Sequence, residues 1–178
     1  MDKNRTPWSF PVAVEDIPET GLHIEMDAAE AVRSELAALA GLRALPRLSA
    51  AFDVARQGAG VHVTGQVNAR VGQTCVVTLE LVENDLMESI DLRFAPQLTE
   101  TIETQSDTAA LPADAEEPPE PLSDGKVDLG AIATEFLLLG IDPYPRKAGA
   151  EFLPVKSDDG GTKPFAALEA LKKRLSGG

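Results

Sequence analysis

Between residues 48 and 96 the apolar side chains recur at every second position, which is the beat of strands with one face buried. Four strands are predicted there. Over 48–55 the buried face is Leu48, Ala50, Phe52 and Val54, with Asp53 pointing the other way. Over 61–71 it is Val61, Val63, Gly65, Val67, Ala69 and Val71, opposite His62, Thr64, Gln66, Asn68 and Arg70. A third strand groups Cys75, Val77, Leu79 and Leu81, and a fourth sets Ile90, Leu92 and Phe94 against Asp91 and Arg93. The links Gln57-Gly58-Ala59-Gly60, Gly72-Gln73 and Glu83-Asn84-Asp85 hold the glycine and Asx residues that tight antiparallel turns use, so a meander is the economical topology. Ahead of it, residues 7–26 alternate as two short extended pieces separated by Pro18-Glu19-Thr20-Gly21.

Helical spacing appears on both sides of this sheet. Asp27-Ala28-Ala29-Glu30 has capping-box spacing with Asp in place of Ser or Thr, Val32, Leu36 and Leu39 or Ala40 follow, and Gly41 stops the helix. Its apolar side packs on the sheet or docks a partner. Asp128 caps a second helix whose stripe is Leu129, Ile132, Ala133, Phe136, Leu137 and Gly140, ended by Pro143 and Pro145. Glu135 falls among these apolar residues, either at the edge with its carboxylate in water or paired. A last helix is expected over 165–175, with Phe165, Leu168, Leu171 and Leu175 on one side. Lys172, Lys173 and Arg174 sit in its final turn, where the macrodipole favours cations; the other reading is a nucleic-acid patch. The fold class is α+β: an antiparallel meander sheet, barrel-like if it closes, packed by two main helices.

Charge changes this picture. The net charge is -13, and residues 97–125 carry eight acidic side chains, no basic ones, and Pro112, Pro118, Pro119 and Pro121. That segment is expected to be a mobile acidic insert, a solvated connection or a docking arm. Residues 146–178, in contrast, are locally basic. The division expected is one domain over 1–150 and a polar tail with a short helix over 151–178. Clustered Lys and Arg of the kind that grip phosphate are absent from the body, so broad nucleic-acid binding is disfavoured. Residues 1–10 lack an apolar signal core and no run reaches membrane-spanning length, which points to a cytoplasmic protein without a membrane partner.

Candidate chemistry is sparse. Cys75 is the single cysteine, which rules out a disulfide framework and a cysteine-rich zinc site. On an apolar strand face it would behave as a small hydrophobe with a raised pKa. His23 and His62 are the available bases, and neither lies in a nucleophile motif; both read as surface histidines. No phosphate loop, dinucleotide fingerprint or internal repeat is present, and no cofactor is implied. A non-enzymatic protein is expected.

Five features in order are more specific: Gly65-Gln-Val-Asn-Ala69, then Gln73-Thr-Cys-Val-Val-Thr-Leu-Glu80, an acidic proline-rich insert, Val127-Asp-Leu-Gly with Glu135, and Pro143-Tyr-Pro-Arg146. Over roughly residues 8–150 this order resembles the YceD family, a domain linked to accumulation of large-subunit ribosomal RNA. Some relatives carry Cys-x-x-Cys where this chain has Cys75 and Thr78, and that departure removes a dithiol or metal role. The resemblance implies a cytoplasmic factor in large-subunit biogenesis supporting 23S rRNA accumulation. Its motif residues here are Cys75, Leu79, Asp128, Leu129, Glu135, Pro143, Tyr144, Pro145 and Arg146. An acidic body suits a basic ribosomal protein or an assembly factor better than phosphates, with Glu116, Glu117, Glu120 and Asp124 as candidate docking residues and any rRNA contact indirect. The nearest rival is direct rRNA binding through Arg146, Lys147, Lys172, Lys173 and Arg174. An enzyme is more distant, and a cavity flanked by His23 or His62 with carboxylates would revive it.

Overall fold

The computed structural model describes residues 6–96, 119–122 and 124–152. In chain order these form β1 (Pro11–Ala13), a short 3-10 turn (Val14–Asp16), β2 (Leu22–Asp27), α1 (Glu30–Leu39), β3 (Ala44–Gln57), β4 (Gly60–Thr74), β5 (Leu81–Pro96), β6 (Glu120–Leu122), β7 (Lys126–Asp128) and α2 (Leu129–Gly140). The chain divides into a compact unit, Met1–Ala148, and a second, Gly149–Gly178. Five strands make an open sheet in the order β2-β3-β4-β5-β6, and β1 pairs with β7 as a separate ribbon. All neighbours are antiparallel except β5 and β6. The fold is α+β, and the sheet does not close into a barrel.

One face of the sheet is apolar. Leu48, Ala50, Phe52 and Val54 of β3, Val61, Val63, Val67, Ala69 and Val71 of β4, and Leu86, Ile90 and Phe94 of β5 are buried together with Leu36 of α1 and Leu129, Ile132, Ala133 and Leu137 of α2. The period-two reading of β3 and β4 therefore selects the buried side correctly. Phe52 pairs with Gly65, where a Cβ would come within 2.4 Å of the Ala51 carbonyl oxygen and 2.9 Å of the Phe52 ring. The missing side chain lets the aromatic ring lie across the strand. The other face is polar and open.

The third and fourth predicted strands divide differently. Cys75, Val77 and Leu79 lie not in a strand but in the loop 75–80 that joins β4 to β5, and Glu83, Asn84 and Asp85, expected as a turn, lie inside β5. Thr74 pairs with Leu81 and Gly72 with Glu83, so two long strands replace three shorter ones. The alternation at 75–81 is a coincidence of composition, overridden by hydrogen bonds to the Cys75 sulfur. The acidic segment is corrected in part as well: Glu120–Leu122 is a strand, parallel to the end of β5, followed by a turn in which Asp124 and Gly125 take φ of 53° and 67°. Residues 97–118 and the expected helix at 165–175 lie outside the described residues.

Asp27 does not cap α1. The cap position is Ala29, without a side-chain bond, because Asp27 belongs to β2 and pairs with Ser49. The far end of α1 does behave as the sequence implies: Gly41 has φ of 65°, its N–H reaches the Ala38 carbonyl at 3.4 Å, and that of Leu42 reaches Ala37 at 2.9 Å. This is the glycine-closed turn in which the left-handed residue satisfies the last carbonyls. Glu135 is exposed, at the edge of the α2 stripe.

Candidate functional site

Two parts of the chain about seventy residues apart meet where β4 turns into β5. The loop 75–80 is closed by the Cys75 N–H donating to the Glu80 carbonyl at 2.8 Å and the Leu79 N–H donating to the Cys75 carbonyl at 3.0 Å. Inside it the sulfur accepts the backbone N–H groups of Val77 and Thr78, each at 3.4 Å. Completing that turn puts Leu79 at φ of 61°, a left-handed conformation that glycine adopts freely and leucine does not.

Segment 142–147 docks on this loop. The Val76 N–H donates to the Pro145 carbonyl at 2.9 Å, the Lys147 N–H donates to the Cys75 sulfur at 3.4 Å, and Lys147 Nζ reaches Glu80 Oε2 at 2.9 Å. Gln73 Nε2 donates to the Asp142 carbonyl at 2.7 Å, while Asp142 Oδ1 accepts the Tyr144 N–H at 2.8 Å. Gln73 is buried, and its Oε1 has no partner among the described residues. Successive prolines at 143 and 145 keep the segment extended, so its carbonyls and N–H groups face the loop in sequence.

Cys75 is fully buried, but the expected raised pKa is corrected. The Thr78 side chain, then the N–H groups of Lys147, Thr78 and Val77, stabilise the thiolate and hold the group down to about 6, against the opposing effect of burial. A sulfur ringed by donors acts as the acceptor at the centre of the turn, not as a small hydrophobe. Outward from this centre point exposed apolar side chains: Leu79 and Tyr144, both 72% exposed, with Val76 and Leu81. Pro145 and Arg146 complete the segment, with the Arg146 side chain exposed.

Asp128 and Leu129 do not join this end. Asp128 Oδ1 accepts Gly130 N at 3.0 Å, Ala131 N at 3.1 Å and Phe10 N at 2.7 Å, and Oδ2 accepts the Ser9 hydroxyl at 2.6 Å. The carboxylate thus caps α2 and ties the N-terminal strap to it. Gly130 permits the contact, since a Cβ there would stand 2.7 Å from the Trp8 carbonyl oxygen. These motif residues are structural. Among the acidic candidates, Glu120 and Asp124 are exposed, and the Glu120 carboxyl is raised by partial burial and by Glu135 nearby. Glu116, Glu117, Lys172, Lys173 and Arg174 lie outside the described residues.

Pattern reading missed Gln73, Thr78, Glu80, Asp142 and Lys147 as a joined set. The sequence pattern places Gln73 in a turn and Lys147 among the RNA-contact candidates; the one signal that spans Gln73, Cys75, Thr78 and Glu80 is the motif Gln73-Thr-Cys-Val-Val-Thr-Leu-Glu80. On the open face, His23 Nδ1 lies 2.8 Å from Asp53 Oδ1, and His62 Nε2 lies 2.7 Å from Asp91 Oδ1. The first pair raises the His23 pKa. Both histidines border an open depression of about 320 Å³ with Thr20 and Thr64. The Thr64 hydroxyl donates weakly, at 3.4 Å, to the Asp53 carbonyl and not to either imidazole. Among the described residues, no group of three His, Cys, Asp or Glu is arranged to hold a metal.

Comparison with curated proteins and with solved structures gives no match. A family model described as Large ribosomal RNA subunit accumulation protein YceD matches residues 63–172. That span begins within β4 and takes in the Cys75 loop, α2 and segment 142–147, while β1, β2, α1 and β3 precede it. The match covers more than half of the sequence and holds both halves of the loop-and-segment junction, and the chain belongs to the YceD family.

Proposed function

We propose that the protein is a non-enzymatic, cytoplasmic factor in large-subunit biogenesis, supporting 23S rRNA accumulation by holding a basic ribosomal protein or assembly factor. The family name supports a role in accumulation of large-subunit rRNA. The observation that carries the partner class is the strongly acidic net charge, reinforced by the engagement of several cations within the chain. Arg70 is bound by Glu83 at 2.9 Å and Asp85 at 3.3 Å, Lys147 by Glu80 at 2.9 Å, and Arg33 and Arg56 donate to the Ala28 and Glu15 carbonyls. With a net charge of -13 and these cations engaged within the chain, its surface favours a positive partner and repels phosphates. Lys147, one of the residues of the RNA reading, is among those engaged. Among the described residues, the imidazole-carboxylate pairs of the histidine depression have no hydroxyl or thiol hydrogen-bonded to the base, which favours recognition over catalysis.

An affinity capture at low and moderate salt, reading protein and RNA together, tests this. The expected result is enrichment of basic large-subunit proteins that falls as salt rises. Capture of rRNA in protein-free extract, at equal or greater yield, contradicts it.

A further inference from the structure

The outer edge of β5 is built to receive a strand. On one side β5 pairs with β4 continuously from Leu81 to Phe94 with no register shift; on the other, β6 pairs only with Phe94, Ala95 and Pro96. Among the described residues no strand covers 81–93 on that side. Every second residue of such an edge turns its N–H and C=O outward, over a length of roughly 40 Å. Exposed edges are commonly blunted by proline, a bulge or charged side chains. Residues 81–93 contain no proline, bulge or lysine; their charges are mostly carboxylates, which oppose a like-charged strand and not a cationic one, and β6 shows that the same edge accepts a neighbour.

The charges select the occupant. Glu83, Asp85, Glu88 and Asp91 outnumber Arg93, the one cation within 81–93, and the single guanidinium of Arg70 serves both Glu83 and Asp85, which leaves the edge negative. A second copy of β5 would set these carboxylates against their equals, and phosphates meet the same repulsion. Glu135 lies close enough to Glu120 of β6 to raise its pKa, and Leu139, 72% exposed, stands one helical turn further along the same flank of α2. A strand continuing the line of β6 has an apolar contact waiting there. Building on the function proposed above, we infer that residues 81–93 are the acceptor edge for an extended basic segment of the partner, which joins the sheet by main-chain pairing.

The test uses the full chain and a synthetic alternating Lys-Val peptide of about ten residues, long enough for a typical strand, alongside the same peptide N-methylated on alternate residues in each of the two phases. Amide exchange and affinity are read together. Expected are slowed exchange at alternate positions of 81–93, salt-sensitive binding, and a loss of at least about tenfold for one N-methylated phase. Met87→Lys combined with Ser89→Lys, both exposed positions, is expected to weaken binding about tenfold with an unchanged Tm. Overturning results are no peptide binding, binding without new protection in 81–93, equal binding of both N-methylated peptides, or an edge already protected in the free chain by its own residues. If basic large-subunit proteins are still captured in any of these cases, the edge assignment alone fails; if none is captured, the functional reading fails with it.

Discussion

The start of α2 and the turn between β4 and β5 both fasten distant segments to the sheet, but they do so with different acceptors and present different surfaces. At α2 a carboxylate gathers four donors and buries Trp8 against Gly130. At the turn a sulfur gathers backbone donors and the surrounding apolar side chains are left outside. The first end is a clasp whose contacts are spent on the fold. The second holds a leucine in a left-handed conformation with its side chain in water, an arrangement with no evident gain for stability. The comparison locates structural work at one end of the molecule and leaves exposed apolar side chains, free to meet a partner of the kind proposed above, at the other.

The largest expected effect separates the ends by stability. Asp128→Ala removes the α2 cap and two bonds to the N-terminal strap, and should cost about 2–3 kcal/mol in chemical denaturation. Partner affinity of the fraction that remains folded should be unchanged. A loss below about 0.5 kcal/mol would break the clasp assignment.

Cys75 should be the next most sensitive position, by several degrees in Tm for Cys75→Val and less for Cys75→Ser, which keeps an acceptor for the loop N–H groups. Replacement by an apolar residue of similar size is therefore expected to be destabilising while leaving the fold in place. The pH dependence has a definite sign. The folded thiol titrates near 6 and the ordinary value is 9.0, so the folded chain binds fewer protons between them. Its contribution is complete above the ordinary value and is lost as pH falls through about 6. Melting wild type and Cys75→Ser across that window should show the gap closing at the acid end; a constant gap would contradict a native thiolate. Burial should nonetheless keep labelling by a thiol reagent far slower than in the denatured chain.

Leu79→Gly should shift the two properties in opposite directions. Relief of the left-handed leucine is expected to stabilise by about 1 kcal/mol, while loss of the exposed side chain should weaken partner binding. Equal or tighter binding would remove the turn from the recognition surface. The smallest effect is expected for Gln73→Leu: the bond to Asp142 is lost, but so is an unpartnered buried oxygen, and the net change should stay within about 1 kcal/mol.

The two ends also differ in how well sequence announces them. Asp128 before a helical stripe is a local signal, and it identifies the cap correctly; β3, β4 and their buried faces are legible for the same reason, since alternation is local. The Cys75 loop is not. Val77, Leu79 and Leu81 alternate like a strand, and only the convergence of backbone donors on one sulfur, including one from Lys147, overrides that pattern. Asp27 shows the converse: its spacing suits a cap, but pairing with Ser49 draws it into β2. Contacts made across tens of residues decide these positions, and periodicity carries no information about them. The motif resemblance marks Cys75 and residues 143–146 without indicating that they touch.

Partner choice is expected to turn on charge. Association rate and affinity of two variants, one with Glu116, Glu117, Glu120 and Asp124 changed to Gln or Asn and one lacking the charges of Lys172, Lys173 and Arg174, should be measured against free basic large-subunit proteins and against purified large-subunit RNA over a range of salt. Wild type should bind the proteins, binding should weaken once screening shortens to about 8 Å, the acid-neutralised variant should capture them more slowly, and the other variant should be unaffected. Tight RNA binding that depends on Lys172, Lys173 and Arg174 and ignores the acidic residues would contradict it.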